Sequence, residues 1–366
     1  MKNIYNYISN YGNLSFLEVS FNDVDNLIFS SLSYVDFGAD ADVNNLTIKE
    51  IADIYFKNHT DSQIIKNITA VKTGIKVLNL IKDTVRYKDL IITNYEYVFS
   101  DVTQFCAMNI KINDTTNYIS FEGTDHLISG WKEDFCLAYK FPVKAQELAI
   151  DYLNRNIKLT SKNIIVGGHS KGGNLALVSS MYCKFWKRKK IIRIYSNDGP
   201  GLRKEQIESK QYKIIEKRLN HIIPNYSFIG LLLRHNNNYK IVYSYERGLF
   251  AHDLANWKVE GTKLVSAKLS FLSQELDHGI IKWLDKYNDI EREHFVEALF
   301  DICKRAGINN LLDYKVDKFH NTIKIIKETK NLDGETKKMI IDLFKFLIKY
   351  CSDDFKNKLF PKNRED

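Results

Sequence analysis

Cysteine is scarce and forms no pattern. The five cysteines, Cys106, Cys136, Cys183, Cys303 and Cys351, are odd in number and include no C-x-x-C pair. That points away from a disulfide framework and from a zinc site. Most have apolar neighbours, so buried free thiols are expected. Long hydrophobic runs are missing too. The longest purely apolar run near the middle, Phe228 to Leu233, is far too short to cross a bilayer. Met1-Lys2-Asn3-Ile4-Tyr5 begins no apolar stretch of signal-peptide length. A cytoplasmic protein is expected, at most peripheral to a membrane. Neither G-x-G-x-x-G nor G-x-x-x-x-G-K-[ST] occurs, which argues against a phosphate loop. No basic amphipathic helix with interleaved aromatics is found, so nucleic acid is not an expected partner.

What is present is globular. The chain has 366 residues, 44% of them hydrophobic and 27% charged, enough for a large core. The net charge of +8 is spread along the chain, and the one dense basic run, Lys184 to Lys190, falls in a helix-to-strand connection. A solvated face is the simpler reading of that run. A basic surface also favours anionic partners such as anionic lipid.

Three regions follow from the patterning. Residues 1–85 read as helical, with helices at Asp23–Val35, Thr47–Phe56 (Thr47 as its cap) and Ser62–Ile81. Residues 86–260 alternate strand and helix. Strands are expected at 89–93, 95–99, 104–112, 117–122, 164–166, 191–196, 220–223 and 239–245. Helices are expected at 141–156, with Pro142 at its start, at 174–181 and at 206–219. That alternation predicts a mostly parallel sheet covered on both faces. Residues 261–366 carry no convincing strand. They read as all-helical, with helices at 264–276, 280–287, 290–306, 316–329 and 336–350.

One stretch carries chemistry. Ile164-Ile165-Val166 is a short apolar strand, Gly167-Gly168-His169-Ser170-Lys171-Gly172-Gly173 a tight turn, and Asn174 to Met181 an apolar helix. This is G-x-S-x-G in the strand, turn and helix setting that the motif requires. A serine hydroxyl is a poor nucleophile unless it is exposed beside a base, and a sharp turn lifts it clear of the sheet. Glycines flank the serine because a Cβ on either side would collide with neighbouring elements.

Ser170 needs a base, and His252 fits best: it follows the last strand and lies downstream of the serine, the chain order of this motif. His169 is read as structural. The orienting acid should close a strand between the two. Asp198, in Asn197-Asp198-Gly199-Pro200-Gly201, does so. Its competing reading is a turn-forming residue. Asp253, adjacent to His252, is poorly placed to reach that ring. Two N–H donors are needed for an oxyanion. Lys171 supplies one and the loop Glu122-Gly123-Thr124-Asp125 the other, through Thr124. Lys171 either pairs with Glu133 or Asp134 or meets an anionic substrate head group.

Phe121-Glu122-Gly123-Thr124-Asp125, Trp131-Lys132-Glu133-Asp134-Phe135, Gly168 to Ala176 and His252-Asp253 with Trp257 together resemble the class 3 lipase group of α/β-hydrolases. More narrowly they resemble an uncharacterised bacterial branch of it. Ser33-Tyr34-Val35-Asp36-Phe37 and Gln104-Phe105-Cys106-Ala107 look like the same branch. The resemblance covers about residues 20–260. It implies an α/β-hydrolase fold with N-terminal helices and an all-helical C-terminal extension, and a serine esterase acting on a lipid-like carboxylic ester, with neither metal nor organic cofactor. Two positions depart from the pattern. Glu122 stands where the group usually carries arginine, and Ile222 to Ser227, where class 3 lipases place their acid, holds no carboxylate. The alternative class is a catalytically weak or inactive hydrolase-fold module that binds lipid or protein. Thioesters and amides are open to the same machinery. The lid is expected in the N-terminal helices or in Phe228 to Asn238.

Overall fold

The computed structural model describes residues 1–38, 42–60, 69–100, 103–124, 128–236, 238–305, 332–334 and 336–339. Seven strands form one sheet: β1 (Ile91–Ser100), β2 (Thr103–Lys111), β3 (Thr116–Phe121), β4 (Asn163–His169), β5 (Ile191–Asn197), β6 (Leu219–Pro224) and β7 (Tyr239–Val242). They lie side by side in chain order. The β1–β2 and β2–β3 pairs are antiparallel and every pair from β3 to β7 is parallel. The result is a mixed α/β structure with a mostly parallel sheet.

Sequential order has a consequence for the helices. Parallel strands need right-handed crossovers, and when each strand sits beside its predecessor all crossovers fall on the same face. α6 (Lys144–Asn156), α7 (Lys171–Tyr182) and α10 (Lys210–Ile215) accordingly share one core with Ile119, Phe121, Ile164, Val166 and Ile194. The opposite face would be bare. The N-terminal helices α1 (Ile4–Tyr11), α2 (Asp23–Leu32), α3 (Ile48–Asn58) and α4 (Thr69–Ile81) cover it, packing on Met108, Ile110, Tyr118, Ile165, Tyr195 and Ile222. Successive residues such as Ile164 and Ile165 thus enter opposite cores, as the period of a strand requires. Inside the N-terminal layer, Asp25 and Arg86 form a fully buried ion pair. Asp25 accepts from Arg86 Nη2 at 2.7 Å and from Tyr87 at 2.7 Å.

Local chemistry explains several boundaries. Thr47 caps α3 and Glu50 returns the bond to its backbone, a reciprocal pair. α6 starts at Lys144, after Val143 as its cap residue, so Pro142 lies before the helix rather than at its first position. The single helix expected over 206–219 is three pieces: α9 (Lys204–Ile207), α10 and a 3-10 turn at Glu216–Arg218. Ser209 breaks it, its hydroxyl accepting from Tyr212 N at 3.2 Å as a new cap. The short α8 (Phe185–Arg188) carries the basic run.

The helices expected at 264–276 and 280–287 are one, α11 (Phe271–Lys286), capped by Ser270. Leu264 instead belongs to a hairpin of β8 (Val259–Glu260) and β9 (Lys263–Leu264), so the region from 261 opens on a strand. α12 (Asp289–Arg305) follows. The helix expected at 316–329 lies outside the described residues, and of the one expected at 336–350 only 336–339 is described, as helix. α5 (Ile128–Cys136) connects the end of β3 to α6 and is held by α12: Phe135 and Phe300 meet edge to face at 5.5 Å, and Lys132 pairs with Glu297 at 2.7 Å. Cys106 and Cys183 are buried thiols, Cys136 and Cys303 partly so. Among the described residues no helix is long and apolar enough to cross a membrane.

Candidate active site

The site lies where β3, β4, β5 and β6 end. β4 delivers Ser170 on a turn with φ 57° and ψ −133°, a left-handed conformation that costs a side-chain-bearing residue energy. The turn is tight because its neighbours leave no room. A Cβ on Gly168 would lie 2.4 Å from Gly172, and one on Gly172 would lie 2.2 Å from Phe121 O. Ser170 occupies the N-cap position of α7 yet makes no capping bond with its side chain, so its hydroxyl is not spent on the helix.

Asp198 follows β5 and is also left-handed, at φ 48°. Its side chain is fully buried and both carboxylate oxygens have partners. Oδ1 accepts from Ser227 Oγ at 2.5 Å and from Gly230 N at 3.0 Å. Oδ2 meets His252 Nδ1 at 2.6 Å. A carboxylate accepts only, so His252 carries its proton on Nδ1 and leaves Nε2 bare. Gly230 is required for this approach, since a Cβ there would lie 2.2 Å from Asp198 Oδ1. The segment 224–227 holds no acid, but its Ser227 helps seat the one at Asp198.

His252 sits in a 3-10 turn, Gly248–His252, anchored by the buried Trp257, whose Nε1 donates to Ala251 O at 2.9 Å. Asp253 turns away: it accepts from Thr73 Oγ1 at 3.0 Å and from Ala255 N at 3.0 Å. His169 packs against His252 with ring centres 4.2 Å apart. Its Nε2 donates to His252 O at 2.8 Å and its Nδ1 accepts from Tyr34 OH at 2.8 Å. Burial, and repulsion from His252 whenever that ring is protonated, hold the His169 pKa well below the usual histidine range, consistent with this neutral tautomer. Ser170 Oγ and His252 Nε2 share no hydrogen bond among the described residues. In hydrolases without substrate that bond is often long and tightens in the complex.

The loop after β3, from which the sequence leads one to expect an oxyanion donor, abuts the serine: a Cβ on Gly123 would lie 3.0 Å from Ser170 Cβ. Thr124 Oγ1 donates to Asp134 Oδ2 at 2.5 Å, so the hydroxyl is committed and the N–H is what Thr124 has to offer. Lys171 is the first residue of α7, and its N–H has no acceptor within the helix. Its side chain runs the other way, into the interior. Nζ donates to Gln104 O at 3.1 Å and to Glu133 Oε2 at 3.2 Å. Of the two roles open to Lys171, pairing with Glu133 is the one adopted. Glu133 also accepts from Thr103 Oγ1 at 2.7 Å and Ala145 N at 2.9 Å. Glu122 is buried and accepts from Gln104 Nε2 at 3.4 Å.

Sequence reasoning missed several of these partners. Asn197, ending β5, donates to Asn26 Oδ1 at 3.1 Å, Ser30 Oγ at 3.0 Å and Gly168 O at 3.1 Å, tying the ends of β4 and β5 to α2. α2 reads in sequence as an ordinary amphipathic helix. The polar residues at 26, 30 and 33 were the available signal. In sequence Asp134 shows only as a partner for Lys171.

Asp134 also makes a prediction. Burial raises its pKa from 3.8 to about 6, against the opposing effects of Lys171 and the Thr124 hydroxyl. The folded protein therefore binds this proton more tightly than the unfolded chain, and stability is lost as pH rises from about 4 to about 6. The size is about 3 kcal/mol. Asp134→Asn keeps an acceptor for Thr124 and removes the titration. Urea denaturation at pH 4.5 and 7.5 is expected to show a smaller loss of stability across that interval in the variant than in wild type. An equal loss in both assigns the pH dependence elsewhere.

Among the described residues no group of three or more His, Cys, Asp or Glu side chains is arranged to hold a metal ion. A family model described as Mbeg1-like matches residues 81–301. No curated protein matches the sequence. Among solved structures, one titled as the crystal structure of M37 lipase is 16% identical over 56% of this chain and 68% of that chain, at a TM-score of 0.35. A likeness that loose carries no argument about function.

Proposed function

This chain belongs to the Mbeg1-like family, and from the geometry of its site we propose that it is a serine hydrolase with an α/β-hydrolase-like fold. Its substrate in this reading is a lipid-like carboxylic ester. Ser170 Oγ attacks the acyl carbonyl while His252 Nε2 takes the hydroxyl proton. Asp198 stabilises the imidazolium that forms. The N–H groups of Thr124 and Lys171 hold the oxyanion. Collapse of the tetrahedral intermediate expels the alcohol, which receives the proton from His252, and leaves an acyl ester on Ser170. Water, deprotonated by His252, then releases the acid and restores the serine.

The observation that carries the reading is the bond between His252 Nδ1 and a buried Asp198 that is itself held by Ser227 and Gly230. A histidine so oriented, beside a left-handed serine at a strand-to-helix turn, has little purpose in a passive core. Leu249 and Phe250, 59% and 47% exposed in the turn that leads into His252, support an apolar acyl substrate or a lipid surface near the base. The missing Ser170–His252 hydrogen bond favours the second reading, a hydrolase-fold binding module without catalysis. A fluorophosphonate probe separates the two. Covalent labelling of the wild-type protein, lost in Ser170→Ala, supports the hydrolase. Equal labelling of the two, or none, supports the module.

A further inference from the structure

A second cleft lies away from Ser170. A cavity of about 500 Å3 lies between the β5 and β6 loops and the junction of α11 with α12. Its volume is that of a small-ligand pocket. Its walls carry more cationic than anionic side chains. Arg203, Lys204, Arg234, Lys286 and Arg292 line it against Glu205, Asp285 and Glu291.

The pairing inside it is lopsided. The side chains of Arg203, Arg234 and Arg292 are only 16%, 22% and 14% exposed. Their carboxylate partners stand in solvent: Asp289, which meets both Arg203 and Arg292, is 48% exposed, and Asp285, which meets Arg234, is 62% exposed. Exposed carboxylates give little net energy to such pairs. A guanidinium that is largely withdrawn from water gains more from an anion of higher charge that can take two of its N–H groups at once. Arg292 has an unmet need as well. Its Nη1 donates to Ala138 O at 2.9 Å and its Nη2 to Leu284 O, while its buried Nε has no partner among the described residues. Burial lowers the Arg292 pKa, and the charges of Arg203 and Arg234 lower it against the opposing charges of Asp289 and Glu205, a repulsion that a further anion among them relieves.

We propose that this cleft binds a small phosphorylated molecule through Arg203, Arg234 and Arg292, with Lys204 and Lys286 at its rim. The site is separate from the serine, since neither Ser170 nor His252 lines it. It does not rest on the hydrolase reading. A ligand with two or more phosphate charges suits three converging guanidinium groups better than a monocarboxylate does. Asp285 and Asp289 act as placeholders that swing to solvent when the ligand enters.

Inorganic pyrophosphate is the probe, titrated calorimetrically into the full chain, with sodium chloride at matched ionic strength as control. Wild type is expected to bind with a dissociation constant below about 1 mM. Arg234→Gln combined with Lys286→Gln is expected to weaken binding at least ten-fold with the far-ultraviolet circular dichroism unchanged. If that pair disturbs folding, Lys204→Gln at the exposed rim is expected to weaken it about three-fold. Ser170→Ala should bind as wild type does, which keeps this outcome apart from the fate of the hydrolase reading. Absence of binding at 10 mM pyrophosphate, or binding equally tight in every folded variant, overturns the proposal.

Discussion

Ser170→Ala is expected to lower kcat for a short-chain p-nitrophenyl ester by about 10,000-fold or more, leaving only background hydrolysis. The reason is geometric as well as chemical. Ser170 is the hydroxyl that the β4 turn places beside the Gly123–Thr124 loop and the first N–H of α7. A companion variant isolates the strain. Ser170 is held at φ 57°, which costs a residue with a Cβ of order 1–3 kcal/mol. Ser170→Gly removes the Cβ and should be both inactive and more stable than wild type, by about 1 kcal/mol, or about 1 °C in Tm for a chain of this size. Ser170→Ala retains the Cβ and should show no such gain. Thermal denaturation of the three proteins decides it. If glycine destabilises, the conformation is not strained; if alanine leaves the rate within ten-fold of wild type, Ser170 is not the nucleophile.

Asp198→Asn is the second large effect, a fall in kcat of about 10,000-fold with the fold intact. The carboxylate pocket predicts which way the amide turns. Ser227 Oγ and Gly230 N both donate to the Oδ1 position, so the amide oxygen belongs there and the NH2 group faces His252. An N–H donor opposite Nδ1 selects the other imidazole tautomer, with the proton on Nε2. That nitrogen can then no longer accept from serine. Fluorophosphonate labelling of the variant should slow in step with ester hydrolysis. A rate within ten-fold of wild type would mean that Asp198 merely forms the turn, as its Asp-Gly sequence allows.

Much of this was legible in the linear sequence, and the reasons differ by element. The strands from 117 to 223 were legible because their apolar runs are short and bounded by polar turns. The Ser170 turn was legible because its glycines fall at the spacing of a strand-to-helix elbow, although most of the walls that require them, Phe121, Glu122 and Ser196 among them, are distant in the chain. The boundaries that differed depended on competing local bonds: Ser209 starting a new cap inside an expected helix, and Leu264 pairing across a hairpin with Val259.

The sequence by itself determined the elements and the positions of Ser170, Asp198 and His252 at their ends. A strand, a turn and a helix are set by neighbours near in the chain. Tertiary structure alone decided where side chains point. It aimed Asp198 Oδ2 at His252, sent the Lys171 ammonium to Glu133, and closed the Thr124 hydroxyl onto Asp134. It also brought the N-terminal helices onto the sheet face that same-sided crossovers leave bare. These choices depend on residues far apart in the chain, and a buried polar group accepts whichever distant partner spares it the cost of desolvation.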